Sequence, residues 1–414
     1  MDRIIFSSVL IIFILSLDFY LWSAFKTNFL ARPYVKYGFW FISILTVLLM
    51  YYPAINTNMT LYPDYMVIIF GFIFAIISAK LIAVFPLFID DVIRFFRYIF
   101  QQLFEKESTQ TGLPISRLDF FKQTALALGA ITFSLLSYGI LVGRYDFKKH
   151  VVKLKLNNYP NGVKPLRIIQ LSDLHLGSFQ RKDKLLEAVE MVNQEQPDLI
   201  FFTGDLVNNY PSEALPFVDV LKQLKAKHGK YAVLGNHDYA DYIGINKATQ
   251  TGLAQWNKHL DEIKDVFQSS GFNLLLNENR LLNISGVEIN VVGVENWGEG
   301  RFSKYGNLDK AMADVKKDIP TFLLSHDPTH WHHKVLSHSQ HIDLQMAGHT
   351  HGMQFGVEIG KFKWSPVKWR YKHWAGLYQK NNHYLYVNRG IGHIGYPGRV
   401  GILPEITVLD VQSA

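Results

Sequence analysis

The sequence predicts an α/β protein: a two-sheet sandwich preceded by an all-helical membrane domain of four transmembrane helices. Two observations carry that expectation. Apolar residues crowd into four long runs within the first 143 positions, while the remainder has the mixed texture of a water-facing domain. In that remainder, short apolar runs first alternate with amphipathic helical stretches and then give way to closely spaced strands, the rhythm of a layered α/β fold. The boundaries that follow are 1–143 for the membrane domain, 144–164 for a linker and lead-in strand, and 165–414 for the α/β domain.

The apolar runs cover roughly residues 4–22, 37–52, 65–89 and 125–142. Spanning a bilayer takes about 20 apolar residues, with about 17 as the floor, so the second run is marginal and the others suffice. Tyr20, Trp22, Trp40, Tyr51, Tyr52 and Tyr65 stand near the run ends, where interfacial aromatics collect. No small-x-small cleavage site follows the first run, which therefore reads as a span. Residues 23–36 carry Lys26, Arg32 and Lys36; residues 53–64 carry no Lys or Arg; residues 90–124 carry Arg94, Arg97, Lys106, Arg117 and Lys122. The positive-inside rule then places the α/β domain on the extracytoplasmic side of the cytoplasmic membrane. Arg144, Lys148 and Lys149 argue the other way, although charges ahead of a long domain weigh less. Asp18 and Lys80 are the only formal charges inside the runs, at comparable depths, and either pair with each other or snorkel to the inner interface.

The net charge of +7 gathers beside the apolar runs, so it reads as membrane topology, and no nucleic-acid partner is expected. The chain has no cysteine, which excludes disulfides and thiolate metal sites.

In the second half, 151–156 alternates with period two as a lead-in strand, and 167–170 is a short buried strand. Helical spacing over 184–195 and 214–227 alternates with strands at 198–202 and 231–234. Short strands are expected at 272–276, 280–284, 287–294, 320–325, 342–347, 384–388 and 405–410.

The chemistry lies at the ends of these strands. Leu171-Ser172-Asp173-Leu174-His175 follows the first, Thr203-Gly204-Asp205 the second and Gly235-Asn236-His237-Asp238 the third. His326 follows Thr321-Phe322-Leu323-Leu324-Ser325, and Gly348-His349-Thr350-His351-Gly352 follows the strand after that. Carboxylate, amide and imidazole groups gathered at strand ends suit divalent cations of the Mn, Fe or Zn kind. For any single histidine a packing role is the default; the whole set in this order is not explained that way.

Asp-x-His, Gly-Asp, Gly-Asn-His-Asp, a lone His and Gly-His-x-His in this order resemble the calcineurin-like metallophosphoesterase superfamily. The ending Tyr386-Val387-Asn388-Arg389-Gly390-Ile391-Gly392, through Arg399 to Pro404-Glu405-Ile406-Thr407, resembles its membrane-anchored bacterial YkuE/YaeI-like branch. The resemblance covers about residues 165–412 and implies an αββα sandwich holding two divalent metal ions. It implies that Asp173, His175 and His351 hold one ion, that Asn236, His326 and His349 hold the other, and that Asp205 bridges them. It also implies hydrolysis of a phosphate ester, a diester above all, by attack of a hydroxide bridging the ions, with His237 as general acid.

Asn208 departs from the pattern, since relatives often carry there an acid that orients the catalytic histidine; an amide hydrogen bond or Asp238 is the expected substitute. Arg389 and Arg399 are candidates for bidentate contact with substrate phosphate, or for bracing the turns at Gly390 and Pro397-Gly398. His330, His332, His333, His338 and His341 fit no ligand spacing and are expected at the surface. Phe362, Trp364, Trp369, Tyr371 and Trp374, interleaved with Lys361, Lys363, Lys368, Arg370 and Lys372, resemble an interfacial contact surface. Together these features make the lipid bilayer a partner and a lipid-linked phosphate ester a candidate substrate. Two rivals stand beside this reading. One is a pyrophosphatase of UDP-diacylglucosamine type acting on a lipid precursor at the cytoplasmic face; the other is a non-catalytic metal- or phosphate-binding scaffold.

Overall fold

The computed structural model describes residues 2–55, 64–104, 117–360 and 362–414. They form two compact units, residues 1–141 and 142–414. Residues 56–63 and 105–116, including Lys106, and residue Lys361 lie outside the described residues.

The first unit is four helices, α1 (Asp2–Phe25), α2 (Pro33–Ile55), α3 (Asp64–Phe104) and α4 (Arg117–Leu141), each long and apolar enough to cross a membrane. α2 is longer than its apolar run because Pro33, with its fixed φ and missing N–H, opens the helix ahead of Lys36. α3 likewise continues past residue 89 into an extension that interleaves Asp90, Asp91, Arg94 and Arg97 with large apolar residues. Gly129 of α4 rests against Ala79 and Ala83 of α3; a Cβ there would lie 3.2 Å from the Ala83 methyl. Small residues at this crossing allow the backbones to approach closely.

Asp18 is fully buried and pairs with Lys80 at 2.6 Å, and Lys80 also donates to the Ser43 hydroxyl at 3.2 Å. The two charges therefore pair between α1 and α3, with Ser43 of α2 beside them, rather than snorkelling. Lys80→Ala leaves Asp18 buried without its counter-charge and is expected to destabilise this unit by about 3–5 kcal/mol. Adding Asp18→Ala is expected to recover much of that loss, read as the melting temperature of the full chain in detergent. A double variant no more stable than the single one would show that the pair contributes nothing.

In the second unit the strands are β1 (Lys148–Leu156), β2 (Leu166–Leu171), β3 (Leu199–Phe202), β4 (Lys230–Ala232), β5 (Asn273–Leu274), β6 (Glu278–Ile284) and β7 (Val287–Gly293). They continue with β8 (Thr321–Leu324), β9 (Leu344–Ala347), β10 (Val357–Ile359), β11 (Phe362–Trp364), β12 (Gly376–Lys380), β13 (His383–Val387) and β14 (Glu405–Ser413). One sheet runs β1-β14-β2-β3-β4-β5 and the other β12-β13-β9-β8-β7-β6, with β10-β11 a separate two-stranded ribbon. β2 to β5 are parallel neighbours, as are β7, β8, β9 and β13. The sheets pack face to face through Ile168, Leu199, Phe201, Val233, Ile289, Val291, Phe322, Leu324, Leu344, Met346 and Tyr386. The outer face of the first sheet is covered by α5 (Lys182–Gln194), α6 (Val218–Leu221) and α7 (Gln250–Ser269), which bury Leu185, Val189, Val220, Ile263 and Phe267.

The lead-in strand is part of this unit, because β1 pairs with β14 along its whole length. The helix expected at 214–227 is reduced to single turns, with α6 only four residues long. Pro216 has no N–H to donate, and its ring obstructs a continuous helix through that stretch. β10, β11 and β12 are additional to the strands read from the sequence.

This topology positions the chemistry. Asp173 follows β2, Asp205 follows β3, Asn236 follows β4, His326 follows β8, and His349 and His351 follow β9. All five strands are parallel members of their sheets, so their C-terminal ends open at one edge of the sandwich, where α/β folds place ligands.

Candidate metal centre

Asp173, His175 and His351 form one cluster, and Asp205, His326 and His349 a second. In the first, His175 Nε2 lies 3.0 Å from His351 Nε2, and His351 Nε2 lies 3.3 Å from Asp173 Oδ1. In the second, Asn236 Oδ1 lies 2.8 Å from His349 Nδ1 and 3.2 Å from His326 Nε2. Asp205 Oδ2 stands between them, 3.5 Å from His175 Nε2 and 3.2 Å from His326 Nε2. Its other oxygen accepts the His237 backbone N–H at 2.9 Å. The seven residues expected as ligands are thus brought to one place.

Backbone conformation explains how. Asp173, His175, Asp205, His349 and His351 all adopt positive φ, between 46° and 72°, a region unfavourable for side chains of this size. Such strain persists only where surrounding bonds over-determine it. Asp173 N–H donates to Gly204 O at 2.9 Å, His175 N–H to Asp205 O at 3.2 Å, and His349 N–H to the Asp173 carboxylate at 3.0 Å. The glycines make room for this crossing of loops. A Cβ on Gly348 would collide with the Ser172 hydroxyl and the Asp173 carboxylate, and one on Gly204 with the Gly235 backbone.

The outer partners set which nitrogen faces inward. The Thr203 carbonyl, 2.7 Å from His326 Nδ1, can only accept, so His326 carries a proton there and turns Nε2 toward the cluster. The Asn208 amide, which donates to the Ser178 hydroxyl, presents its oxygen to His175 Nδ1 at 3.1 Å with the same result. Tyr371 takes up His349 Nε2 at 2.8 Å, leaving Nδ1 for the cluster. Asn236 donates its amide to Tyr242 at 2.9 Å and so turns its oxygen inward. Imidazole ligands oriented by carbonyl and amide groups are the usual outer arrangement of a metal site.

The electrostatics fit cations as well. Burial lowers His175 to about 3 and His349 to about 4, which keeps both neutral and able to ligate. Burial, with Asp205 adding to it, raises Asp173 to about 7 in the protein alone. Burial would also raise Asp205, but His326 and His237 outweigh it and hold that carboxyl well below its ordinary range. Burial works against a proton on His326, yet Asp205 raises this histidine to about 10. One carboxylate among converging imidazoles, sharing a proton with one of them, is the donor set a pair of dications would take over.

His237 is partly exposed beside this cluster, and its Nδ1 donates to the Asn208 carbonyl at 2.7 Å. Its ring packs on Tyr242, with centroids 4.7 Å apart. The sequence expectation for Asn208 needs correction: its backbone orients His237 while its side chain serves His175. Asp238 does not substitute either. Its carboxylate accepts the N–H groups of Gly235, Asp205 and Leu206 at 2.8–2.9 Å and braces the ligand loops.

Arg389 and Arg399 also depart from the substrate-contact expectation, in favour of turn bracing. Arg389 is buried between Glu405 and Glu358, and Arg399 is buried with its guanidinium on the Gly392 and Arg389 carbonyls. Guanidinium groups committed to carboxylates and carbonyls are not presented to a phosphate. Burial would raise Glu405, but Arg389 overrides it and lowers the carboxyl from 4.5 to about 2. A depressed carboxyl contributes stability above its unfolded value, and that stability is lost as pH falls through the folded value. Arg389→Met is therefore expected to cost about 3–5 kcal/mol and to move acid unfolding of the full chain to higher pH. An unchanged acid transition would contradict the pairing.

His330 corrects the surface expectation: it is fully buried, lies 2.8 Å from the Ser325 hydroxyl and stacks on Trp297. Tyr242, Tyr371 and Phe302, whose ring stands 4.8 Å from His349, also border the centre. Tyr242 and Phe302 carry no spacing signal in the sequence, and Tyr371, read there as part of an interfacial stretch, is instead buried against His349.

Comparison with known proteins agrees with this geometry. The family described as probable calcineurin-like phosphoesterase, transmembrane domain, matches residues 2–144, and calcineurin-like phosphoesterase matches residues 166–353. A transmembrane protein with metallophosphoesterase domain from Danio rerio is 30% identical over 71% of this chain, which spans 64% of that relative's length. The uncharacterised metallophosphoesterase YkuE of Bacillus subtilis is 29% identical, with 72% of this chain and 98% of the relative covered. The phosphodiesterase YaeI of Escherichia coli is 26% identical, with 72% and 99% covered. Residues 166–353 thus form a calcineurin-like phosphoesterase domain, preceded over residues 2–144 by the transmembrane domain that the other family model describes.

Proposed function

We propose that the protein hydrolyses a phosphodiester, with Asp173, His175 and His351 holding one divalent cation, Asn236, His326 and His349 a second, and Asp205 bridging the two. The observation that carries the reading is Asp205 Oδ2, placed within 3.5 Å of an imidazole from each cluster. When bound, two such ions supply Lewis acidity, polarising a phosphoryl oxygen and acidifying a water. The chain's own contribution is orientation and proton transfer. The Asn208 carbonyl fixes His237 by its Nδ1 proton, so Nε2 is the atom from which a proton reaches the departing alkoxide. Asp205 holds the His237 backbone against the cluster, coupling the position of the acid to that of the ligands. Retention of this proton donor beside a complete donor set favours an enzyme over a binding scaffold.

The cation set is open to Mn, Fe or Zn, because imidazole, amide and carboxylate groups suit all three. We place the catalytic unit on the extracytoplasmic side, supported by Lys26, Arg32, Lys36, Arg94 and Arg97 in the stretches between alternate spans. A periplasmic-type reporter fused after Ala414 tests the placement: its activity supports the reading, and activity of a cytoplasm-restricted reporter instead would favour a lipid-precursor pyrophosphatase on the inner face.

A further inference from the structure

The ribbon β10-β11 has two unlike faces. Its pairing sets Val357 opposite Trp364, Glu358 opposite Lys363, and Ile359 opposite Phe362. Alternation along a strand then puts Val357, Ile359, Phe362 and Trp364 on one face and Glu358 and Lys363 on the other. The second face is turned to the body of the domain. Glu358 pairs with the buried Arg389 at 2.6 Å, and Lys363 reaches the Ala375 carbonyl and lies over the Tyr378 ring. The apolar face is therefore held outward. Ile359 is 73% exposed, Phe362 62% and Trp369 75%, with Trp369 packed edge-on against Trp364.

We propose that this apolar face is a docking surface for a bilayer containing anionic lipid. Water is a poor partner for so contiguous an apolar face, which in proteins marks an interaction site. Tryptophan prefers the headgroup boundary, and the adjoining turn exposes Lys368 and Lys372, the complement of anionic headgroups. A bilayer is also the surface present at the highest local concentration, because the domain begins at Val142, directly after α4 ends at Leu141. The same segment reaches the metal centre. Tyr371, two residues beyond Trp369, meets His349 Nε2 at 2.8 Å, so docking brings the centre's rim to the headgroup layer. That consequence, a phosphate ester drawn from the membrane surface as substrate, rests on the proposed function; docking itself is read without turnover.

The cysteine-free chain lends itself to the test. Ile359→Cys, or Leu215→Cys as a reference site of 61% exposure, carries a nitroxide in the full chain in lipid nanodiscs. Collision with oxygen, concentrated in lipid, is compared with collision with a water-soluble nickel complex. In discs containing phosphatidylglycerol, the Ile359 label is expected to favour oxygen severalfold over the Leu215 label. Lys368→Glu with Lys372→Glu, or discs of phosphatidylcholine alone, are expected to reduce that difference. Equal nickel access at both sites would overturn the proposal. So would protection that persists in detergent and grows with protein concentration, which would mark a second copy of the chain. Protection indifferent to both charge changes would overturn the anionic-lipid requirement.

Discussion

Asp205→Asn is expected to lower phosphodiester turnover by at least about 10²–10³-fold, the scale on which a preorganised charge at a reacting centre acts. The substitution keeps the shape of the residue. An amide oxygen can still accept the His237 N–H now bound at 2.9 Å, so the loops after β3 and β4 retain their crossing. What changes is the second oxygen, which stands 3.5 Å from His175 Nε2 and 3.2 Å from His326 Nε2. With a neutral amide in place of the carboxylate, one ligand common to both clusters is lost, and cation content is expected to fall along with turnover. In the metal-free chain the same change removes the carboxylate that raises His326 to about 10, so burial returns that histidine toward its neutral form. Elemental analysis and melting temperature measured together separate these effects. Lost activity with full metal content and an unchanged fold would remove Asp205 from the bridging role.

His237→Ala is expected to act selectively. For an ester with a strongly basic alkoxide leaving group, loss of the general acid costs about 10²–10⁴-fold. For a p-nitrophenyl ester, whose leaving group departs without a proton, the loss is expected to be much smaller. His237 touches the centre through its backbone and the Asn208 carbonyl, and it is not among the residues whose nitrogens converge in either cluster. Metal content is therefore expected to hold. Equal losses on both esters would assign His237 to binding or loop geometry instead.

The ligand residues were legible in the sequence because each follows a short apolar strand, and parallel strands bring their C-terminal ends to one edge. Asp173 after β2 and Asp205 after β3 meet because those strands are parallel neighbours, and the packing of the two sheets brings His326 after β8 to the same edge. What the sequence did not show were features that depend on the backbone. Positive φ at five of the ligands lies in no motif, and neither does the choice of the Asn208 carbonyl, rather than its side chain, as the partner of His237. Arg389 and Arg399 were open to either phosphate contact or turn bracing, and the carboxylates that decide for Arg389, Glu358 and Glu405, carry no sequence signal of that pairing. His330 was hidden among exposed histidines, although burial at the second sheet gives it a quite different environment. Pro216 was the readable clue that the stretch 214–227 would not form one helix.

The most direct test of a paired cation centre is a titration of the metal-stripped full chain in nanodiscs with Mn(II). Electron paramagnetic resonance and hydrolysis of bis-p-nitrophenyl phosphate are followed on the same samples. The account predicts that turnover appears as a spin-coupled Mn pair forms, and that Asp205→Asn abolishes both. Turnover that survives stripping, or that saturates with a single uncoupled Mn(II) per chain, would contradict it.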